Sequence, residues 1–247
     1  MARPEFCCFD RVLDLMLQTE AEEVAVAENA ANAARQPFEA AGIPRKRWRA
    51  GRALAVRFLD GPRELHDRIQ AAAAAWSRSA NVGFTFVRRG DATIRITLRD
   101  AGAWSALGTD ALMPMTYPAD APTMSLSPLA RSSGDAEVNR YTRHEFGHAL
   151  GLIHEHQNPA HRIQWNKPVV YQAMAGPPNH WDQATVDVNF FEQYDRTSTQ
   201  FTRFDPTSVM LYSFPASWTL DGAVSPQNSE LSAIDRSFIC ALYPLPP

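Results

Sequence analysis

The sequence predicts an α+β protein: a mixed, twisted sheet, a helix that carries regularly spaced histidines, and a smaller irregular C-terminal lobe. Three observations predict it. Strand and helix patterns alternate between residues 53 and 98, a helical segment with regularly spaced histidines follows, and beyond residue 155 Pro, Asn and turn residues replace long periodic runs.

Residues 11–35 are acidic and alanine-rich, with apolar residues clustered early, and predict one or two helices. The basic run at 44–49 follows Gly42 and is expected to be a solvated connection. Residues 53–59 form a strand candidate closed by Asp60-Gly61-Pro62, and 63–79 carry strong helix formers at helical spacing. Residues 82–87 and 93–98 alternate as strands around the turn Arg89-Gly90-Asp91, and Met124-Ser125-Leu126 is a further short strand. A closing helix is expected at 231–242, where Leu231, Ile234, Phe238 and Leu242 share one face.

A chain of 247 residues, 45% of them hydrophobic, suffices for one core or two closely joined lobes. The net charge of −3 comes from interspersed charges without a basic stripe, so neither nucleic acid nor a membrane surface is an expected partner, and a monomer is expected. No apolar run is long enough to cross a bilayer. Arg3, Glu5, Asp10, Arg11 and Asp14 interrupt any signal-peptide core, so cytoplasmic residence, or export by another route, is expected. Three cysteines, Cys7, Cys8 and Cys240, make no disulfide framework.

The chemistry lies in Arg143-His144-Glu145-Phe146-Gly147-His148-Ala149-Leu150-Gly151-Leu152-Ile153-His154. On a helix His144 and His148 are one turn apart on one face, so both imidazoles can reach one ion. Asp135 or Ser133 is expected to cap this helix. Gly151 can take the left-handed conformation that ends a helix, and the redirected chain returns His154 to the metal. Three neutral imidazoles leave a fourth position open for water, as catalytic Zn2+ requires. Glu145, about 60° around the helix from His148, can face that position as a general base without being a ligand. His156 fits no ligand slot and is expected to support the site or sit at the surface.

The extended motif resembles the metzincin signature. Downstream, Ser208-Val209-Met210-Leu211-Tyr212 resembles the Met-turn, whose methionine lies beneath the metal. Tyr212 is similar to a tyrosine carried by astacins and serralysins, and serralysin calcium repeats are absent, so the resemblance is to the astacin-like branch. It covers about residues 48–245 and implies the zincin fold, with a cleft between two lobes. It also implies zinc held by His144, His148 and His154, a zinc-bound water activated by Glu145, and Tyr212 steadying the oxyanion. Residues 104–108 resemble the edge strand along which substrate binds antiparallel, and Ser232, Asp235, Leu242 and Tyr243 resemble the clan's last helix. Astacin's paired cysteines and its aspartate-bearing inhibitory motif are missing. The glutamate after the third histidine meets the mature N-terminus in that family; Glu155 does so here only if a leader is removed, and is otherwise a surface residue.

Cys7 or Cys8 can in principle act as in matrix metallopeptidases, where a thiolate fills the open metal position. The surrounding residues match that device loosely, and two ordinary cysteines are expected. The wall of the primed-side pocket is expected at 214–218. No Lys or Arg lies between Arg203 and Arg236, so a preference for acidic residues there is not expected. The expected organisation is an N-terminal helical segment, 1–45, as a prosegment, then a catalytic domain, 46–247, with an upper lobe at 46–154 and a lower lobe at 155–247. The expected activity is zinc-dependent cleavage of peptide or protein substrates. The competing expectations are a zinc-stabilised binding module and a zinc hydrolase of non-peptide amides.

Overall fold

The structure is a computed structural model that describes residues 8, 9, 11, 13, 15–33, 46–130, 133–194 and 202–246. Among them, five strands form one sheet: β1 Ala53–Phe58, β2 Gly83–Phe86, β3 Ile94–Thr97, β4 Ala103–Ser105 and β5 Met124–Leu126, in the order β2-β1-β3-β5-β4. All pairings are parallel except that of β4 with β5. The sheet is therefore mixed, with the antiparallel strand at its edge.

Helix α2, Arg63–Ser77, crosses from β1 to β2 and packs on α3, Asp135–Ala149. Trp76 is fully buried between them and donates from Nε1 to the Arg143 carbonyl at 2.9 Å. Phe146 of α3 meets Phe84 of β2 edge to face, with ring centres 4.8 Å apart. These contacts hold the histidine-bearing helix against the sheet through its apolar side.

Both ends of α3 depart from expectation or sharpen it. Gly134 occupies the N-cap position with no side-chain cap, because Asp135 is instead paired with Arg68 at 2.8 Å and Ser133 offers its carbonyl to the same guanidinium. At the other end Gly151, with φ of 91°, closes a Schellman motif. Gly151 N bonds His148 O at 2.8 Å and Leu152 N bonds Gly147 O at 3.0 Å. The remaining carbonyls are taken by Trp48 Nε1 on Ala149 O (2.8 Å) and by the Tyr243 hydroxyl on Leu150 O (2.7 Å). Tyr243→Phe strands the buried Leu150 carbonyl, so urea unfolding should show a loss of about 1–3 kcal/mol. An unchanged midpoint would deny Tyr243 this part.

The basic run is not wholly solvated. Lys46 pairs with Asp110 at 2.5 Å, and the Asp110 side chain is only 1% exposed. Burial pushes the Asp110 carboxyl above its usual range, and the Lys46 ammonium opposes this. Trp48 is buried in the core. Residues 44 and 45, and residues 34 and 35 of the expected N-terminal helices, lie outside the described residues. The described part of the N-terminal stretch forms α1, Gln18–Glu28, flanked by 3-10 turns at Leu15–Leu17 and Ala30–Ala33.

The lower lobe contains more helix than its composition predicts. α4, Lys167–Ala175, opens on Asn166-Lys167-Pro168, a start signal that composition obscured. A short α5, Gln183–Val186, runs into a π-helical turn, Asp187–Phe191. The closing helix α6, Ala233–Leu242, has a capping box between Ser232 and Asp235. No helix among the described residues is long and apolar enough to cross a membrane.

Candidate metal centre

Helix α3 presents His144 and His148 on one face, and the Gly151 turn brings His154 back to them. The His148 Nε2 atom lies 3.2 Å from His144 Nε2 and 3.1 Å from His154 Nε2. Two of the three rings are anchored through their outer nitrogens by backbone carbonyls. His144 Nδ1 donates to Val209 O and His148 Nδ1 to Leu152 O, both at 2.8 Å. A neutral imidazole that donates from Nδ1 presents a bare lone pair at Nε2. Burial, followed by the His148 and His154 imidazoles, pushes His144 well below its usual titration range, which keeps it neutral.

These donors fit a metal. The bare lone pairs of His144 and His148 face each other at 3.2 Å and repel, and a cation between them removes the conflict. Three ligands about 2.0–2.1 Å from a tetrahedral ion stand about 3.3 Å apart, close to the spacing here.

Glu145 is fully buried beside the cluster. Tyr212 is also brought in, its ring 4.4 Å from that of His154. Met210 packs under α3 at Gly147, where a Cβ would come 2.4 Å from the methionine sulfur, so the glycine permits the close approach. The turn holding Met210 is fixed by α6: Asp235 accepts from Ser208 Oγ at 2.7 Å and from Val209 N at 2.9 Å. Val209 in turn supplies the carbonyl that orients His144. His156 is buried, not at the surface.

Cys8 overturns the expectation of two ordinary cysteines. Its sulfur joins the three histidines in one buried cluster whose candidate ligand atoms all lie within 4.8 Å of one another. The sulfur is 3.4 Å from Glu145 Oε2, and the Cys8 carbonyl accepts the Tyr212 hydroxyl. Cys8 bridges to Ala103 of β4 in parallel, with Phe9 N donating to Ala103 O at 3.3 Å. Residues 8 and 9 thus pair with the edge strand in the direction opposite to that expected of substrate. Cys7 lies outside the described residues.

The cavity beside His144 is lined by Arg140, Leu211, Tyr212, Ser213, Gln227 and Cys8, whereas Phe214 packs away with Ile163 and Leu211. Arg140, one turn before His144 on α3, is on the wall of this cavity. Glu155 is not at the surface. It is buried and accepts from Asp205 N at 2.8 Å and Asn158 Nδ2 at 3.0 Å. Desolvation raises its pKa to about 8 against those two donors.

No protein-family model matches the chain, and no curated protein matches it. Among solved structures, one of myroilysin overlays with a TM-score of 0.79 and 39% identity, covering 83% of this chain and 99% of that one. The chain belongs to the astacin-like zinc metalloproteases. A second myroilysin structure gives a TM-score of 0.64 at 36% identity, covering 86% of this chain and 92% of the other. High choriolytic enzyme 1, a hatching-enzyme zinc protease of the medaka fish Oryzias latipes, is more distant, with a TM-score of 0.49, 20% identity and coverage of 77% and 90%. As an astacin-like metalloprotease the chain is a metal-dependent endopeptidase that acts on peptides or proteins, and its mixed sheet and helices are those of the metzincin fold.

Proposed function

We propose that this endopeptidase uses Zn2+ held by Nε2 of His144, His148 and His154, with Glu145 as its acid–base residue, and that the intact chain is latent. The observation that carries the proposal is the convergence of three buried imidazoles, two of them oriented through Nδ1 by backbone carbonyls. Zinc bound there would polarise the scissile carbonyl and acidify the attacking water. Glu145 takes the proton of that water and passes it to the leaving amine nitrogen. Its position next in sequence to one ligand leaves the carboxylate beside the site, and burial shields the transfer from bulk solvent. Tyr212 donates its phenolic proton to the oxyanion as charge develops there. In the intact chain this hydroxyl already donates to a peptide carbonyl, that of Cys8. Met210 forms the apolar floor under the ligand-bearing helix.

Residues 1–45 then act as a prosegment. Cys8 Sγ occupies the side of the histidine cluster that water needs and stands against Glu145, so one residue blocks both the open position and the base. Parallel pairing of Cys8 with β4 sets the chain there opposite to substrate, which withholds the peptide bonds beside Cys8 from attack. Lys46, tied to Asp110, begins the part that stays.

The test is cleavage of casein and of a peptide library by protein lacking residues 1–45. Cleavage is expected to vanish with a chelator and return with zinc. Zinc-loaded, trimmed protein that cuts nothing would favour a binding module instead.

A further inference from the structure

One buried histidine beside the centre has no part in the chemistry above. His156 is 2% exposed, and its ring centre lies 4.1 Å from that of Tyr212 with the planes 30° apart. Its Nε2 is 2.7 Å from the Asn189 carbonyl. A carbonyl only accepts, so Nε2 carries the proton. The acceptor is itself held: Asn189 lies in the π-helical turn Asp187–Phe191, and its side chain donates to Thr185 O at 2.8 Å. The turn closes with Glu192 N on Asp187 O at 2.9 Å. The next residue of the turn, Phe190, meets the Tyr212 ring edge-on at 5.0 Å. π-Turns are uncommon and concentrate where a side chain or carbonyl must be re-aimed. Here one turn aims a carbonyl at His156 and a ring at Tyr212.

We infer that His156 is a positioning residue for Tyr212: tethered to the Asn189 carbonyl, its imidazole covers one face of the phenol ring and, with Phe190, sets the direction of the hydroxyl. The inference rests on the role proposed for Tyr212. An apolar ring at 156 would be held by packing against Trp165 and Phe190 alone, with no bond to fix its tilt, and the tyrosine would follow any change in it. The hydrogen bond removes that freedom. A small error in the phenol's position weakens its bond to the oxyanion more than its contacts with bound substrate, so the effect falls on turnover.

A double-mutant cycle on the zinc-loaded enzyme without residues 1–45 tests this, reading kcat, KM and zinc per chain on one uncharged fluorogenic peptide. His156→Phe keeps a ring and loses the tether; it is expected to lower kcat about tenfold or more, with KM and zinc content unchanged. His156→Gln restores a donor towards Asn189 and should recover part of the loss. In a Tyr212→Phe background, His156→Phe should change kcat by less than about twofold, since neighbours acting through one group are not additive. An equal loss in both backgrounds, or no loss from His156→Phe or from His156→Gln and His156→Ala where His156→Phe does not fold, overturns the inference. Tyr212→Phe that cuts at the parent's rate overturns the role of Tyr212 and this inference with it. A parent that cuts nothing overturns the zinc-peptidase proposal instead.

Discussion

Glutamine in place of Glu145 is expected to lower kcat about 10²- to 10⁴-fold, the range that a positioned general base supplies, while leaving zinc bound at one ion per chain. The substitution preserves shape and burial and removes only the capacity to hold a proton in transit. Nothing in the ligand set depends on the carboxylate. His144 and His148 are oriented by the carbonyls of Val209 and Leu152, and His154 by the turn at Gly151. The loss should therefore appear in kcat and kcat/KM alike, the sign of an interaction made in the transition state. Steady-state kinetics and metal analysis on the same preparation check it. Parental cleavage by Glu145→Gln would place the base elsewhere.

Cys8→Ala in the intact chain is expected to raise cleavage about a hundredfold, if the thiol holds the open form near one molecule in a hundred. The argument is geometric. One sulfur joins all three histidines and lies 3.4 Å from Glu145, so nothing else in the segment need block the chemistry. What remains after the substitution still holds the segment: residues 8 and 9 on β4, the Tyr212 contact to a backbone carbonyl, Phe9 and Arg11 against Trp104, and Leu13 and Ala21 in the core. None of them fills the metal position or stands against Glu145, so a substrate that displaces residues 8 and 9 from β4 meets an open centre. The trimmed enzyme supplies the upper limit of activity. An intact Cys8→Ala chain as inactive as the parent, beside an active trimmed enzyme, would show that the segment inhibits by covering the cleft rather than through its thiol.

The convergence of the three histidines was legible because it is local. His144, His148, Gly151 and His154 lie within eleven residues, and helix geometry together with one positive φ determines where they meet. The upper lobe was legible for a similar reason: β1, α2, β2 and β3 each carry their own periodicity. What escaped depends on distant chain segments. Cys8 meets Glu145 across 137 positions, and Tyr243 meets Trp48 across 195, spacings over which no periodicity speaks. The cap of α3 was misjudged because Arg68, on another helix, claims Asp135. Arg140 belongs to no motif, although its i, i+4 relation to His144 puts it on the same face of α3 beside the cavity there. The π-helical turn has no sequence signature, and with it went the packing around Tyr212.

X-ray absorption at the zinc edge on the intact, zinc-loaded chain, with Cys8→Ala beside it, tests the central claim most directly. A first shell of three imidazole nitrogens and one sulfur is expected in the parent, with the sulfur replaced by a light atom in Cys8→Ala and the three nitrogens retained. A shell of oxygen ligands without the imidazoles would contradict the metal site itself, and three imidazoles without sulfur in the parent would contradict its closure by Cys8.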